Sequence, residues 1–141
     1  MDSSKLEELA SISKNVKVLC VDDDAGARHG IEMLLKNFFP NVQTAIDGQD
    51  GLIKFKSSKF DLILTDITMP NMGGVDMIKS IREISSDVSV IIISAACQPD
   101  TLKEIEKICV SANLLKPIDM PILIETLLEV VHQINQKKAC E

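Results

Sequence analysis

The amino-acid sequence predicts one α/β domain, a five-stranded parallel sheet with helices on both faces. The chain has 141 residues, of which 45% are hydrophobic, so it can bury one compact core. Five short runs rich in β-branched residues alternate with segments of helical periodicity. Most of these runs are apolar almost throughout, as is typical of strands covered on both faces. Repeated strand–helix alternation favours a parallel sheet in a three-layer sandwich.

The apolar runs are the predicted strands. Each is short and is bounded by polar, glycine or proline residues, which is the usual signature of a strand. In chain order they span residues 16–21, 42–46, 61–65, 88–93 and 112–116.

A predicted helix follows each strand. The first has Ile31, Leu34, Leu35 and Phe38 at helical spacing and is ended by Pro40. The third and fifth also have an apolar stripe, and the fourth begins at a Pro-Asp pair. In chain order the helices span residues 25–39, 49–57, 75–84, 99–110 and 121–136.

These elements assign residues 15–137 to the folded domain. Residues 1–14 form a predicted leader, either flexible or a short helix around Leu6, Leu9 and Ile12. Residues 138–141 form a predicted C-terminal tail. Asp47-Gly48, after the second strand, reads as an ordinary turn.

Composition excludes several classes of protein. The net charge is -6 and the pI is about 4.9, so a nucleic-acid-binding surface, which needs a basic face, is disfavoured. No signal peptide and no segment long enough to span a bilayer is present. Cys20, Cys97, Cys109 and Cys140 lack metal-ligand spacing, so we expect reduced thiols in a cytoplasmic protein.

Chemistry-bearing side chains lie at the ends of four predicted strands. Ligands of an open parallel sheet bind outside the carboxyl ends of its strands, so these side chains should meet at one edge. The first strand is followed by Asp22, Asp23 and Asp24, the third by Asp66 and the fourth by Ser94 and Ala95, while the fifth ends in Lys116.

This set suits the handling of a phosphoryl group. Two like charges about 4 Å apart cost roughly 4 kcal/mol near a protein surface, and a divalent cation offsets that cost. Mg²⁺, or Mn²⁺, prefers such hard oxygen ligands. A carboxylate can itself act as a nucleophile towards phosphorus, and a fixed lysine balances charge on the transferring group.

Four segments, VLCVDDD, DLILTDITMPNMGG, VIIISA and LLKP, make the chain resemble the receiver domain of two-component response regulators. The resemblance covers about residues 16–136. It implies a flavodoxin-like (βα)5 fold whose parallel strands lie in the order 2-1-3-4-5. The implied protein is a stand-alone receiver of the chemotaxis-regulator type.

The resemblance also implies a role for each acidic residue. Asp66 resembles the phosphoacceptor. Asp22 and Asp23 resemble the acidic pair that holds Mg²⁺ together with Asp66 and the backbone carbonyl of Thr68. Asp24 is expected to lie at a helix N-terminus, where a carboxylate suits the helix dipole, rather than to bind metal.

The remaining implied roles concern the phosphorylated state. Ser94 resembles the hydroxyl that turns towards the phosphate, with Ala95 beside it, and Lys116 resembles the lysine that pairs with the acceptor. Pro117 is expected to follow a cis peptide bond. The chain departs from the family at Asn113, where an aromatic switch residue is common. It also departs at Gly73, where a polar residue is usual and glycine should loosen the loop.

We therefore predict a single-domain response regulator rather than a classical enzyme, with at most self-phosphorylation and self-dephosphorylation. A histidine kinase or histidine phosphotransfer protein would donate to Asp66. Because no sequence follows residue 141, we expect output through a downstream protein partner, without direct contact to nucleic acid or membrane.

Two alternatives remain open. One is a receiver-like adaptor whose partner binding is independent of phosphorylation, which the degenerate position Asn113 favours. The other is an aspartyl-phosphate hydrolase of the haloacid dehalogenase type, with Asp22 as nucleophile and Asp24 as acid/base. The hydrolase leaves Asp66 unexplained and lacks the second acidic pair that such a fold needs. An EF-hand reading of DDDAG fails because no Glu closes the loop.

Overall fold

A computed structural model describes residues 3–95 and 98–140 of the chain. Within those residues an N-terminal helix precedes five strand–helix units. The strands are β1 (Lys17–Val21), β2 (Asn41–Ala45), β3 (Leu62–Thr65), β4 (Ser89–Ser94) and β5 (Ala112–Leu115). The helices are α1 (Ser3–Ile12), α2 (Ala25–Leu35), α3 (Gly48–Ser57), α4 (Gly74–Ile84), α5 (Pro99–Lys107) and α6 (Met120–Ala139).

The five strands form one parallel sheet in the order β2-β1-β3-β4-β5, which confirms the predicted architecture. Every residue of β3 and β4 is buried, whereas exposed residues alternate along the edge strands β2 and β5. The nearly unbroken apolar runs thus mark the strands that have helices on both faces.

Alternate residues of each inner strand pack into two separate hydrophobic cores, one on each face of the sheet. Because successive side chains of a strand point to opposite faces, Val18 and Cys20 pack on one side and Leu19 and Val21 on the other. The first core is closed by α1, α2 and α6, and the second by α3, α4 and α5.

Several boundaries differ from the predicted ones. Helix α2 ends at Leu35 and α5 at Lys107, each about a turn earlier than the apolar spacing indicated. In the other direction, α6 continues to Ala139, so part of the predicted tail is helical. Residues 3–12 of the predicted leader form α1.

Helix α1 packs against α6. Leu9 is fully buried in the first core. Glu8 pairs with His132 Nε2 at 2.8 Å, and the side-chain amide of Asn135 donates to the carbonyl of Ile12 at 2.9 Å. The helix therefore extends the hydrophobic core beyond the five βα units.

Among the described residues, Cys20 is buried and Cys109 and Cys140 are exposed free thiols, while Cys97 lies outside the described residues. None of the helices described here has the length and apolar character that crossing a membrane would require.

Candidate functional site

Backbone hydrogen bonds beyond the strand ends set the first two acidic residues side by side. The N–H of Asp22 donates to the carbonyl of Ala45 at 3.2 Å, and the N–H of Asp66 donates to that of Val21 at 3.1 Å. The parallel ladder thus continues one residue past β1 and β3. Both carboxylates consequently lie at the carboxyl edge of the sheet, where parallel folds bind ligands.

The carboxylates of Asp22, Asp23 and Asp66 form one cluster. One oxygen from each lies within 4.8 Å of the others. Asp22 is buried, the side chain of Asp66 is 15% exposed, and Asp23 is open to solvent. Three hard oxygen donors at this spacing, with one open side, fit a divalent cation that keeps several waters, such as Mg²⁺.

Lys116, the residue directly after β5, reaches the same cluster. Its Nζ lies 3.1 Å from Asp66 Oδ2 and 3.3 Å from Asp22 Oδ2, and its backbone N–H donates to the carbonyl of Ser94 at 2.8 Å. Partial burial tends to lower the pKa of the ammonium. The hydrogen bond to Asp66 and the nearby negative charges outweigh burial, so the pKa is raised and the group stays charged. The peptide bond between Lys116 and Pro117 is cis.

A cavity of about 260 Å³ opens between the acidic cluster and the start of α5. Ser94, the buried last residue of β4, lies in its wall. Among the residues that the structure describes, the lining is Asp66, Ile67, Thr68, Ser94, Ala95, Gln98, Thr101 and Lys116. A larger cavity of about 870 Å³, lined by residues such as Phe60 and Ile134, contains none of the predicted site residues.

Gln98 and Thr101 were missed by sequence reasoning. Gln98 is the N-cap residue of α5, and Thr101 lies in its first turn. The Pro-Asp pair signalled a helix start, but only the fold turns that start towards Asp66.

Asp24 caps a helix. Its Oδ2 accepts the N–H of Ala27 at 3.0 Å at the start of α2, and its own N–H donates to Asp22 Oδ1 at 3.0 Å. The Arg28 guanidinium donates to the Asp22 carbonyl at 2.9 Å. The N-cap residue of α2 therefore contacts the buried Asp22 carboxylate through its backbone N–H, while Arg28 contacts the Asp22 backbone.

The loop from Asp66 to Gly74 closes on itself. Asp66 Oδ1 accepts the N–H of Ile67 at 2.6 Å, and the N–H of Gly74 donates to the carbonyl of Ile67 at 2.8 Å. A Cβ atom at Gly74 would lie 2.1 Å from the Asp66 carbonyl oxygen, so the loop cannot close around a larger residue. Gly73 is extended, with φ -76, so it does not use the positive φ on which the expected loosening of the loop depended. The residue of this loop with left-handed backbone is Asn71, with φ 65.

The structure changes the role expected for Asp47 and places Asn113 on the edge strand. Asp47 is a buried N-cap of α3 that contacts Asn71 in the loop from Asp66 to Gly74 (below, the acceptor loop, after the role predicted for Asp66), so it is not a free turn. Asn113 lies exposed on β5, in register with Ile92 of β4, with no aromatic ring at that position.

Comparisons with known proteins point to one family. The family model described as "Response regulator receiver domain" matches residues 18–128. Chemotaxis protein CheY-3 of Vibrio cholerae is 35% identical over 121 residues, which are 84% of this chain and 93% of that protein.

Two solved structures extend the comparison. The N-terminal domain of an uncharacterized protein from Wolinella succinogenes is 36% identical, with a TM-score of 0.82 over 89% of this chain and 99% of that one. A CheX–CheY–BeF3–Mg²⁺ complex from Borrelia burgdorferi contains a chain that is 28% identical, with a TM-score of 0.73 over 83% of this chain and 90% of that one.

Proposed function

The chain belongs to the response regulator receiver family, and on that basis we propose that it accepts a phosphoryl group on Asp66 and signals by binding another protein. The single observation that carries the proposal is the contact of Lys116 Nζ with Asp66, beside the carboxylates of Asp22 and Asp23. Nucleophile, metal ligands and fixed cation are the parts that phosphoryl transfer to a carboxylate requires.

The metal in this proposal is Mg²⁺ or Mn²⁺. Asp22, Asp23, Asp66 and the backbone carbonyl of Thr68 would hold it. When bound, the ion supplies positive charge to the oxygens of the transferring phosphoryl group. The Borrelia burgdorferi complex, which contains BeF3 and Mg²⁺, supports this choice by similarity.

The donor in this proposal is a phosphohistidine of a histidine kinase or of a histidine phosphotransfer protein. An oxygen of Asp66 attacks phosphorus, the phosphorus–nitrogen bond breaks, and the departing histidine nitrogen keeps the electron pair and takes up a proton. A carboxylate nucleophile needs no general base. Lys116 balances the charge of the product, and Ser94 and Ala95 in the cavity wall contact its oxygens.

The acceptor is tested with phosphoramidate and Mg²⁺, followed by intact-protein mass spectrometry. We expect one phosphoryl group on the wild type and none on Asp66→Asn. Asp76→Asn is the matched control, since it removes an exposed carboxylate in the first turn of α4. If Asp22→Asn rather than Asp66→Asn abolished the covalent label, the hydrolase reading would replace the receiver.

The exposed Asn113 motivates a second candidate, an adaptor that binds its partner regardless of phosphorylation. Beryllofluoride with Mg²⁺ mimics the phosphorylated state. Under our main proposal it changes both the affinity for the downstream partner and the amide exchange across residues 94–115. Equal affinity and exchange in both states would favour the adaptor.

A further inference from the structure

Asp47 links the start of α3 to the acceptor loop. It is 5% exposed and lies 24 positions before its partner in the loop. One carboxylate oxygen accepts the N–H of Asp50 at 2.8 Å, and the other accepts the side-chain amide of Asn71 at 2.7 Å. A single side chain thus caps a helix and holds a residue of the loop between Asp66 and Gly74.

Gly48 brings the same two segments together through their backbones. Its N–H donates to the carbonyl of Met72 at 3.0 Å. A Cβ atom at position 48 would lie 2.4 Å from that carbonyl oxygen. The Asp-Gly pair is therefore required by contact with the loop, and not only by a change of chain direction.

Asn71 occupies the strained point of the loop. Its φ of 65 is left-handed, a conformation that asparagine tolerates better than most residues. Although Asn71 is exposed, its amide is fixed by the buried Asp47. Three positions earlier is Thr68, whose backbone carbonyl is a metal ligand in the proposed function.

Asp47 is an ionised acceptor at neutral pH. Its pKa is lowered, first by the hydrogen bond from the Asp50 N–H and then by that from the Asn71 amide. A charged acceptor makes a shorter and stronger hydrogen bond than a neutral one, which suits a contact that must hold a strained loop.

We propose that Asp47 is a positioning residue for metal binding, which it serves by holding Asn71 and, with it, the loop that carries Asp66 and Thr68. The inference rests on the proposed function. Residues that orient metal ligands without touching the ion typically change metal affinity by roughly 10–100-fold when they are replaced. Asp47 acts through several residues of loop, so we expect an effect below that range.

The test is a titration with MgCl₂ followed by proton–nitrogen NMR, which is suitable because the chain has no Trp or Tyr as a fluorescent reporter. Asp47→Ser keeps a good N-cap but is too short to reach Asn71. Asn71→Gly keeps the left-handed backbone and removes the amide. We expect each to weaken Mg²⁺ binding about threefold or more, and the double variant to be no weaker than the worse single variant.

Asp50→Ser is the matched control. It removes the same charge from the same helix end, but Asp50 contacts the Ile46 N–H and Lys54, not the acceptor loop. We expect its Mg²⁺ affinity to stay close to that of the wild type. Thermal unfolding in EDTA accompanies each titration, because a merely structural role would lower the unfolding temperature without changing the affinity of the folded protein.

Equal affinities for Asp47→Ser, Asp50→Ser and the wild type would overturn the inference. If Asp47→Ser does not fold, Asn71→Gly decides the matter alone. Failure of the proposed function gives a different result: the wild type itself would show no Mg²⁺-dependent shifts at residues 22, 23 and 66 and would take no label from phosphoramidate.

Discussion

Asp22 places a carboxylate at a position that is only 2% exposed. A buried carboxylate requires partners, because removing an ion from water without pairing is prohibitively costly. It has two, the N–H of Asp24 and the ammonium of Lys116, and the same ammonium serves Asp66. Three carboxylates and one lysine have a formal surplus of two negative charges, which a bound divalent cation would neutralise.

Ser13 has a buried hydroxyl group that is not paired with any of the residues the structure describes. It is fully buried, and its hydroxyl has no hydrogen-bond partner within the described part of the chain. Ser13→Ala should therefore raise the free energy of unfolding by about 1 kcal/mol, because an unpaired buried hydroxyl costs roughly that much. Urea unfolding followed by far-UV circular dichroism measures it. The exposed Ser86→Ala is the control, and a destabilised Ser13→Ala would contradict the argument.

Cys20 should make the fold sensitive to alkali. Burial, and then the charge of Asp22, raises the pKa of its thiol from 9.0 to about 12. Because the pKa of the thiol is higher in the folded state than in the unfolded state, protonated Cys20 contributes fully to the free energy of unfolding below pH 9.0. This contribution is lost as the pH rises towards about 12.

The measurement is urea unfolding near pH 7 and near pH 10, the latter lying between the unfolded and folded pKa values. The wild type should lose more stability over this interval than Cys20→Ala, and no Tyr adds its own titration. Equal losses would show that the buried thiol does not carry the effect.

In the native protein, alkylation should mark the exposed Cys109 and Cys140 well before Cys20.

Helices and strands were predictable where local chemistry decides them. Asp24 and Pro99 mark helix starts in the sequence and in the structure. The ends were less predictable because apolar spacing reports burial rather than helicity. Phe39 is buried beyond the end of α2, and α5 ends before Cys109, which has φ 54 and whose carbonyl accepts a hydrogen bond from the Arg82 guanidinium.

Tertiary contacts hidden from the sequence explain what was missed at this scale. Ten residues are too few for a stable isolated helix, so α1 exists through its packing on α6. The role of Asp47 was missed for the same reason. Its Asp-Gly pair is a turn signal in the sequence, whereas the contact of Asp47 with Asn71 exists only because the fold brings α3 next to the acceptor loop.

Leu9 anchors α1 and gives a direct test of that packing. Leu9→Ala should lower the free energy of unfolding by about 2–5 kcal/mol, as truncation of a fully buried leucine does. Glu7→Ala, on the exposed side of the same helix, should change it little. Urea unfolding measures both, and equal stabilities would mean that α1 does not stabilise the rest of the protein.

At the level of the molecule, one sheet has a hydrophobic core on each face and the candidate site at its carboxyl edge. Asp22, Asp66 and Lys116 directly follow β1, β3 and β5, and Ser94 is the last residue of β4. A residue at the carboxyl end of a parallel strand has its position fixed by the core beneath it. This is why sequence reasoning could assemble the candidate site: strand ends are visible as the points where apolar runs stop.

Metal binding at the acidic cluster should stabilise the whole fold, because the carboxylates come together only when the strands do. An ion that binds the folded state alone adds about 2.7 kcal/mol to the free energy of unfolding at a concentration 100 times its Kd. We expect MgCl₂ to raise the free energy of unfolding of the wild type by this amount at that concentration, and EDTA to reverse the gain. Asp23→Asn, which removes the exposed ligand without disturbing a core, should abolish the gain and leave metal-free stability unchanged or higher through reduced repulsion. The same gain in Asp23→Asn as in the wild type would locate the binding elsewhere, and its absence from both proteins would mean that the cluster does not hold Mg²⁺.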